Sequence, residues 1–306
     1  MQTLGFLLLF ILSCSTSIAL IALALVLLNR SLGVIPLEVL PFGIGFSLAL
    51  LALGNDPALA RSLLPLVLAC GAALFLLQPV YVALRRRFGG ESLTLMLSFA
   101  IMTSWKEGMA IATGTSPVHH PFAEWMNAHQ SLNLKLIVLV ISVLALVSSY
   151  LLLNFRGNLA ALQLSMEDSR LLTSFGISSR KYQRKVLLAA MVLVVLGSLL
   201  YIGLQQSFSI EDSYDIIVPA FAISLAQQRV RLVTILCVSI LLLATTEILT
   251  RFSTASTIRA GHQGILFGAV VLIALLFRLA RQSGRWQSFE RKSGLVFRRT
   301  IGENHG

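Results

Sequence analysis

Apolar runs of membrane length recur along this chain. Residues 4–28, 62–84, 92–113, 133–153, 185–206, 230–250 and 262–281 are each mostly apolar, and about 20 such residues let a helix cross the hydrocarbon of a bilayer. Two further segments are short or interrupted: 34–54 carries Pro36, Pro41, Gly43 and Gly45, and 215–228 contains Pro219. Lipid offers no hydrogen bonds to a broken backbone, so such pieces persist only when buried in protein or lining a cavity. The fold class expected is all-α, a polytopic membrane protein with about 8–9 transmembrane helices, including broken or short half-helices.

Charge scarcity points the same way. Charged residues make up 12% of the 306, about half the ~25% of a soluble domain, and mean hydropathy is +0.84. A water-soluble sphere and a disordered chain are both excluded. Cys14, Cys70 and Cys237 lie inside apolar segments, where thiols pack as small hydrophobes, with no disulfide framework or metal spacing. No Gly-x-x-x-x-Gly-Lys-Ser/Thr loop and no nucleophile–base pair occurs. The chain therefore reads as neither an enzyme nor the carrier of a cofactor or metal.

The net charge of +11 then becomes a question of sides. Arg85, Arg86 and Arg87 follow one span. Arg156, Arg170, Arg180, Lys181, Arg184 and Lys185 lie between two others. Arg278, Arg281, Arg285, Arg291, Lys292, Arg298 and Arg299 follow the last. Residues 114–132 hold no Lys or Arg, and 207–215 hold Glu211, Asp212 and Asp215. The positive-inside rule puts the basic clusters in the cytoplasm and the two other loops outside. Nine crossings result, with 215–228 counted as a short one, the N-terminus outside and the C-terminus cytoplasmic. Segment 4–28 lacks a positive n-region and is longer than a signal peptide's apolar core, so it reads as a retained span. The division is a membrane domain over 1–281, containing a cytoplasmic loop at 154–184, and a basic tail over 282–306.

That loop is patterned. Leu162, Met166, Leu171, Leu172 and Phe175 recur at roughly helical spacing, and Gly176 is placed as a helix stop. Such a helix either lies on lipid headgroups or docks a cytoplasmic partner. Its Ala-rich start, Glu/Asp pair and Arg-Leu-Leu-x-x-Phe-Gly-Ile ending resemble the coupling loop of branched-chain amino acid ABC importer permeases. Looser likenesses follow in order: Leu32–Ile35, Val80-Tyr81-Val82-Ala83-Leu84-Arg85-Arg86, Pro219-Ala220-Phe221-Ala222 and Leu275-Leu276-Phe277-Arg278. The chain departs from that family where Ile223–Gln228 replaces a Gly-Gly-x-Gly element, where Pro36–Gly43 replaces a segment containing Asn and His, and where the final Arg-Pro-Arg-Gly lacks its proline.

The resemblance implies a bacterial inner-membrane permease subunit. It would pair with a second, homologous permease, with ATP-binding subunits and with a periplasmic solute-binding protein. Its solutes would be branched-chain amino acids or related small polar molecules such as urea and amides. Ala161, Glu167, Arg170, Leu171, Gly176 and Ile177 fall where that family meets its ATPase. A secondary transporter with broken helices and a non-transporting scaffold stand as alternatives.

Glu38, Lys106 and Glu107 lie within or at the rims of apolar segments. A charge at mid-bilayer costs about 2.5–3.5 kcal/mol on insertion scales, so these residues are candidates for the pathway. Glu38 and Lys106 are expected to face it or pair across it, with a structural ion pair or snorkelling as the other reading. Lys106 and Glu107, adjacent on one helix, are expected to point apart. His119, His120, Glu124 and His129 crowd an outer loop without the spacing of a closed metal site, and suit a docking platform for a binding protein.

Overall fold

The computed structural model describes residues 2–53, 56–88, 91–113, 118–119, 130–155, 158, 161–162, 164, 169–174, 176–205, 207–226 and 232–252. Helices α1 (Gln2–Leu32), α2 (Val39–Ala52), α3 (Pro57–Phe88) and α4 (Glu91–Thr113) come first. Strand β1 (Val118–His119) and helices α5 (Gln130–Asn154), α6 (Ser169–Ser174) and α7 (Ser179–Ile202) follow. Strand β2 (Ser207–Phe208), a 3-10 turn (Glu211–Ser213), α8 (Tyr214–Ala226) and α9 (Leu232–Phe252) complete the order.

Among the described residues, four helical stretches are long and apolar enough to cross a membrane: Gly5–Leu32, Pro57–Leu84, Leu132–Asn154 and Ser179–Ile202. They mark a membrane-embedded helical protein. The span expected at 92–113 is a helix, α4, but Lys106 and Glu107 dilute its apolar run. α2, the 214–225 part of α8 and the 232–245 part of α9 are short apolar helices. The 262–281 span and the 282–306 tail lie outside the described residues.

α1 is the axis of the bundle. From Ser13 to Leu28 nearly every side chain is buried, and α7, α9, α5 and α8 pack around it, α7 most extensively. The outer helices invert the usual rule. Leu76, Met96, Ile111, Leu144 and Leu152 are all more than three-fifths exposed, which suits an apolar solvent rather than water. Five consecutive small residues, Ser13–Ser17, sit in the middle of this axis, four of them bearing hydroxyls and the fifth being Cys14. Their hydroxyls are absorbed by backbone carbonyls, as where Ser15 donates to Ile11 (2.6 Å) and Ser17 to Ser13 (2.9 Å), so their burial leaves no orphaned donor.

Gly33 ends α1 with φ +68°, and its N–H donates to the carbonyl of Asn29 (2.8 Å), a left-handed cap that glycine adopts without steric cost. Beyond it the chain is not helical until Val39. Pro41 then sits in the first turn of α2, where its missing N–H has no helical partner to lose. The interrupted segment expected at 34–54 is thus a non-helical stretch followed by a half-helix.

Hydrogen bonds fix which ends lie together. Gln183 at the start of α7 donates to the Ser31 carbonyl at the end of α1 (3.3 Å), and Gly197 faces Ser17 and Ile21, so α1 and α7 run antiparallel. Ser13 donates to the Lys135 carbonyl (2.9 Å), so α1 and α5 begin at the same end. β1 and β2 pair antiparallel, Val118 with Phe208 and His119 with Ser207. That ladder ties the end of α4 to the end of α7, bringing together the two loops that the charge pattern groups on one side. At the other end Tyr182 donates to the Asn158 carbonyl (2.9 Å).

α2 is wedged into the bundle by small residues. A Cβ on Gly43 would overlap the Val194 side chain of α7. One on Gly45 would meet Met109 at 2.7 Å and Val67 at 2.9 Å. Ser47 donates both to the Gly43 carbonyl (2.8 Å) and across to the Val195 carbonyl (3.0 Å). Small side chains and an interhelical hydroxyl bond are what hold helices together where the hydrophobic effect is absent.

Candidate functional site

The non-helical stretch between α1 and α2 ends on Glu38, which is 1% exposed. Its backbone makes the first bonds of α2: Val39 donates to the Pro36 carbonyl (3.2 Å), Leu40 to Leu37 (3.0 Å) and Phe42 to Glu38 (3.3 Å). Those local turns satisfy the orphan donors of the helix start. The Glu38 side chain makes no cap bond and turns instead toward α3 and α4.

There Ser98 of α4 does two jobs. Its hydroxyl donates to Glu38 Oε2 (2.5 Å) and accepts the Leu37 N–H (2.5 Å). The Cys70 thiol of α3 lies 3.8 Å from the Glu38 carbonyl oxygen. The Tyr81 hydroxyl stands beside both Glu38 and Ser98 and is itself buried. Glu38 Oε1 and Tyr81 Oη have no partner among the described residues beyond the contacts of the tyrosine with Glu38 and Ser98. The carboxylate lies at the positive end of α2, which favours an anion by about 0.3–1 kcal/mol. That offsets only part of the cost of burying it.

Ser98→Ala unpairs the Leu37 N–H and Glu38 Oε2 together. Each lost buried partner costs about 1–3 kcal/mol. Thermal unfolding of the detergent-purified variant should therefore start several degrees lower than for the native chain. A transition within about 1 °C of the native one would contradict this account of the knot.

The expected meeting of Glu38 with Lys106 does not occur. Ser98 binds Glu38, and Lys106 lies eight residues further along α4, about 12 Å at helical rise. Lys106 is instead spent locally. Its Nζ is 3.7 Å from Glu107 Oε1 and 4.0 Å from the centroid of the Tyr214 ring on α8. The expectation that Lys106 and Glu107 point apart is also corrected. A long lysine stem bends back along the helix, so a buried ammonium meets a carboxylate that is 67% exposed. Lys106 thus ties α4 to α8 at the end that carries the β ladder.

Two features escaped the sequence reading. Lys135 is buried, its ammonium 3.1 Å from the Phe6 ring centroid and 5.1 Å from that of Phe10. Phe6 and Phe10 stand one turn apart on α1, which is the signal that could have announced an aromatic seat for a cation. Ser98 and Tyr81 had no such signal, being an ordinary serine and tyrosine in apolar runs.

In the 154–184 loop, α6 ends as the sequence predicts. Gly176 has φ +76°, its N–H donates to the Thr173 carbonyl (2.9 Å) and that of Ile177 to the Leu172 carbonyl (3.2 Å). This pair of bonds is the Schellman stop. Leu162 and Leu172 are buried, while Ile177 is 39% exposed beside the stop. Ala161 is half-buried on a described turn of helix. Arg170 and Leu171 lie on α6, and Glu167 falls outside the described residues.

The chain matches no protein-family description, no curated protein and no solved structure.

Proposed function

We propose that the chain is the membrane-spanning permease subunit of an ATP-driven importer. The observation that carries this reading is the half-helix α2, opening on a buried carboxyl inside a bundle built around α1. Broken helices with polar residues at depth are how membrane proteins expose a solute site while keeping most backbone groups paired. The short helix α6, its glycine stop and the exposed Ile177 support the same reading. They form a compact anchor at the end of the bundle opposite the β ladder, where an ATP-binding subunit would press on Ala161, Glu167, Arg170, Leu171, Gly176 and Ile177.

In this reading the protein sits in a bacterial inner membrane, with the basic loop and the 282–306 tail cytoplasmic and the β ladder outside, offered to a solute-binding protein. A second permease subunit completes the pathway. The solutes are amino acids or related small polar molecules.

One observation favours a second reading. A buried carboxyl with no cation beside it among the described residues is also what an ion-coupled secondary transporter needs. Affinity purification of the tagged chain from its native membrane separates the two. An ATP-binding subunit should co-purify in stoichiometric amount, and ATP should drive solute uptake in vesicles carrying the complex. Uptake by the chain alone, driven by an ion gradient, would replace the importer with the secondary transporter.

A further inference from the structure

We propose that the apolar run 262–281, which lies outside the described residues, packs antiparallel on the exposed face of α4, with the glycine edge that leads into it against Glu107, Ser104 and Ala100. The proposal rests on the membrane orientation given above and not on ATP-driven import.

That face of α4 is poorly suited to lipid. Met96, Ala100, Ser104, Glu107 and Ile111 recur at three- and four-residue steps, so they form one stripe along the helix. All five are exposed, Met96 by 73% and Ile111 by 84%. The exposed side of α5 offers bulky apolar residues instead, among them Leu136, Val140, Leu144 and Leu151, and lipid tails serve these well. On α4 the stripe narrows at Ala100 and at Ser104, whose hydroxyl is folded back onto the Ala100 carbonyl (2.9 Å). It then carries the Glu107 carboxylate, 67% exposed. α4 has 23 residues, about 34 Å of helix against about 30 Å of hydrocarbon, and Glu107 stands about 9 Å short of its end. Among the described residues the ionic partner of Glu107 is Lys106, at 3.7 Å, beyond hydrogen-bond length. A carboxylate at that depth calls for protein over it, and a stripe of small side chains is where another helix approaches most closely.

The chain supplies that helix. Beyond Phe252 it continues over residues 253–306, with one further run of membrane length, 262–281. In the orientation above this run starts outside and ends on cytoplasmic Arg278 and Arg281, opposite in direction to α4. Gly261, Gly264 and Gly268 advance by three residues and then four. Glu107, Ser104 and Ala100 descend α4 by three residues and then four. Set antiparallel, each glycine falls level with one of them. Gly261 level with Glu107 brings the unpaired N–H groups at the start of the run to the carboxylate, with Arg259 and His262 close by in sequence. Arg278 and Arg281 then come level with the turn between α3 and α4, the surface that Arg85, Arg86 and Arg87 already mark.

The connection reaches. Residues 253–260 span up to about 28 Å when extended. α8 packs on α9, and its Tyr214 ring seats Lys106 of α4, so the connection has one helix to cross, about 10–12 Å wide. A helix so tethered is present at an effective concentration of about millimolar, ahead of one from another molecule.

The test is disulfide cross-linking of the full chain in its native membrane, in a background of Cys14→Ala, Cys70→Ala and Cys237→Ala. Helices in contact through small residues bring facing Cα atoms within disulfide reach. Oxidation with copper phenanthroline should therefore join Ser104→Cys to Gly264→Cys within one chain, and Ala100→Cys to Gly268→Cys, in most molecules. Leu144→Cys on α5, combined with Gly264→Cys, should stay reduced. Linked tryptic peptides from the monomer band read the result, and the second α4 pair guards against one cysteine disturbing the packing. Cross-linking of Leu144→Cys in preference to Ser104→Cys would put the run on another face. Oxidation of the Ser104→Cys variant alone to a dimer would give the stripe to a second copy of the chain. Reduced thiols in both α4 pairs would leave it to lipid. Each of these three results overturns the proposal. The assay needs neither ATPase nor uptake, so its failure is distinct from failure of the importer reading, which the co-purification decides.

Discussion

Gly197→Ala should cost the chain most of its folded yield. The added methyl would lie 2.6 Å from the Ile21 side chain and 2.8 Å from the Ser17 carbonyl oxygen. A side-chain tip can rotate away, but Ser17 is backbone of the central helix. The only relief is for α1 and α7 to move apart. Overpacking of a close-packed interior costs about 1–3 kcal/mol even where neighbours can adjust. Here the displaced element is the axis on which α5, α8 and α9 also pack, so the strain spreads. Gly108→Ala is the matched control. Among the described residues its new methyl would find only Leu66, at an ordinary 3.8 Å, and alanine favours a helix by about 1 kcal/mol over glycine. Size-exclusion profiles and unfolding temperatures of the two variants should diverge sharply. Equal profiles would mean that the α1–α7 crossing is looser than described.

The difference between those two glycines was invisible in the sequence, and the reason is general for this chain. Composition and periodicity report what solvent an element meets. They announced apolar helices, an interrupted segment after the first span, and a helix stop at Gly176. They were silent on which helix is central. Residues 4–28 and 133–153 look alike as apolar runs, yet α1 is enclosed on all sides while α5 is largely exposed. That distinction is made by long-range packing, and its local trace is only the run of small residues Ser13–Ser17 and the lone Gly197 across from it.

The site was legible in half. Glu38 stood out because a carboxylate in an apolar run is costly, and the structure buries it at the break. Its partner did not stand out. Opposite charge made Lys106 the obvious candidate, but charge complementarity in sequence carries no depth. Lys106 lies further along α4 than Ser98, and the nearby Glu107 and Tyr214 claim it. The true neighbours, Ser98, Tyr81 and Cys70, are polar or polarisable side chains that apolar helices carry routinely. Only the fold distinguishes the ones that meet.

If the chain is the importer subunit proposed above, Gly176→Val should detach its ATP-binding subunit while leaving the membrane bundle folded. Among the described residues nothing lies within 4 Å of a Cβ placed on Gly176, so the substitution acts through the backbone. At φ +76° an ordinary L-residue pays about 1–2 kcal/mol, and a β-branched one more. That is a factor of at least roughly 5–30 against the stop. Relieving the strain means abandoning the bonds from Gly176 and Ile177 to Thr173 and Leu172, which redirects Ile177 and changes the angle at which Ser178 leads into α7. Gly176→Asn is the discriminating partner, since asparagine adopts this conformation far more readily. In affinity purification the valine variant should come down without the ATPase, and the asparagine variant with it. Both should keep the native unfolding temperature to within about 2–4 °C, the size of a 1 kcal/mol effect. Full ATPase recovery with valine would show that the stop is not part of a docking surface, and the loop helix would then be left to the lipid headgroups.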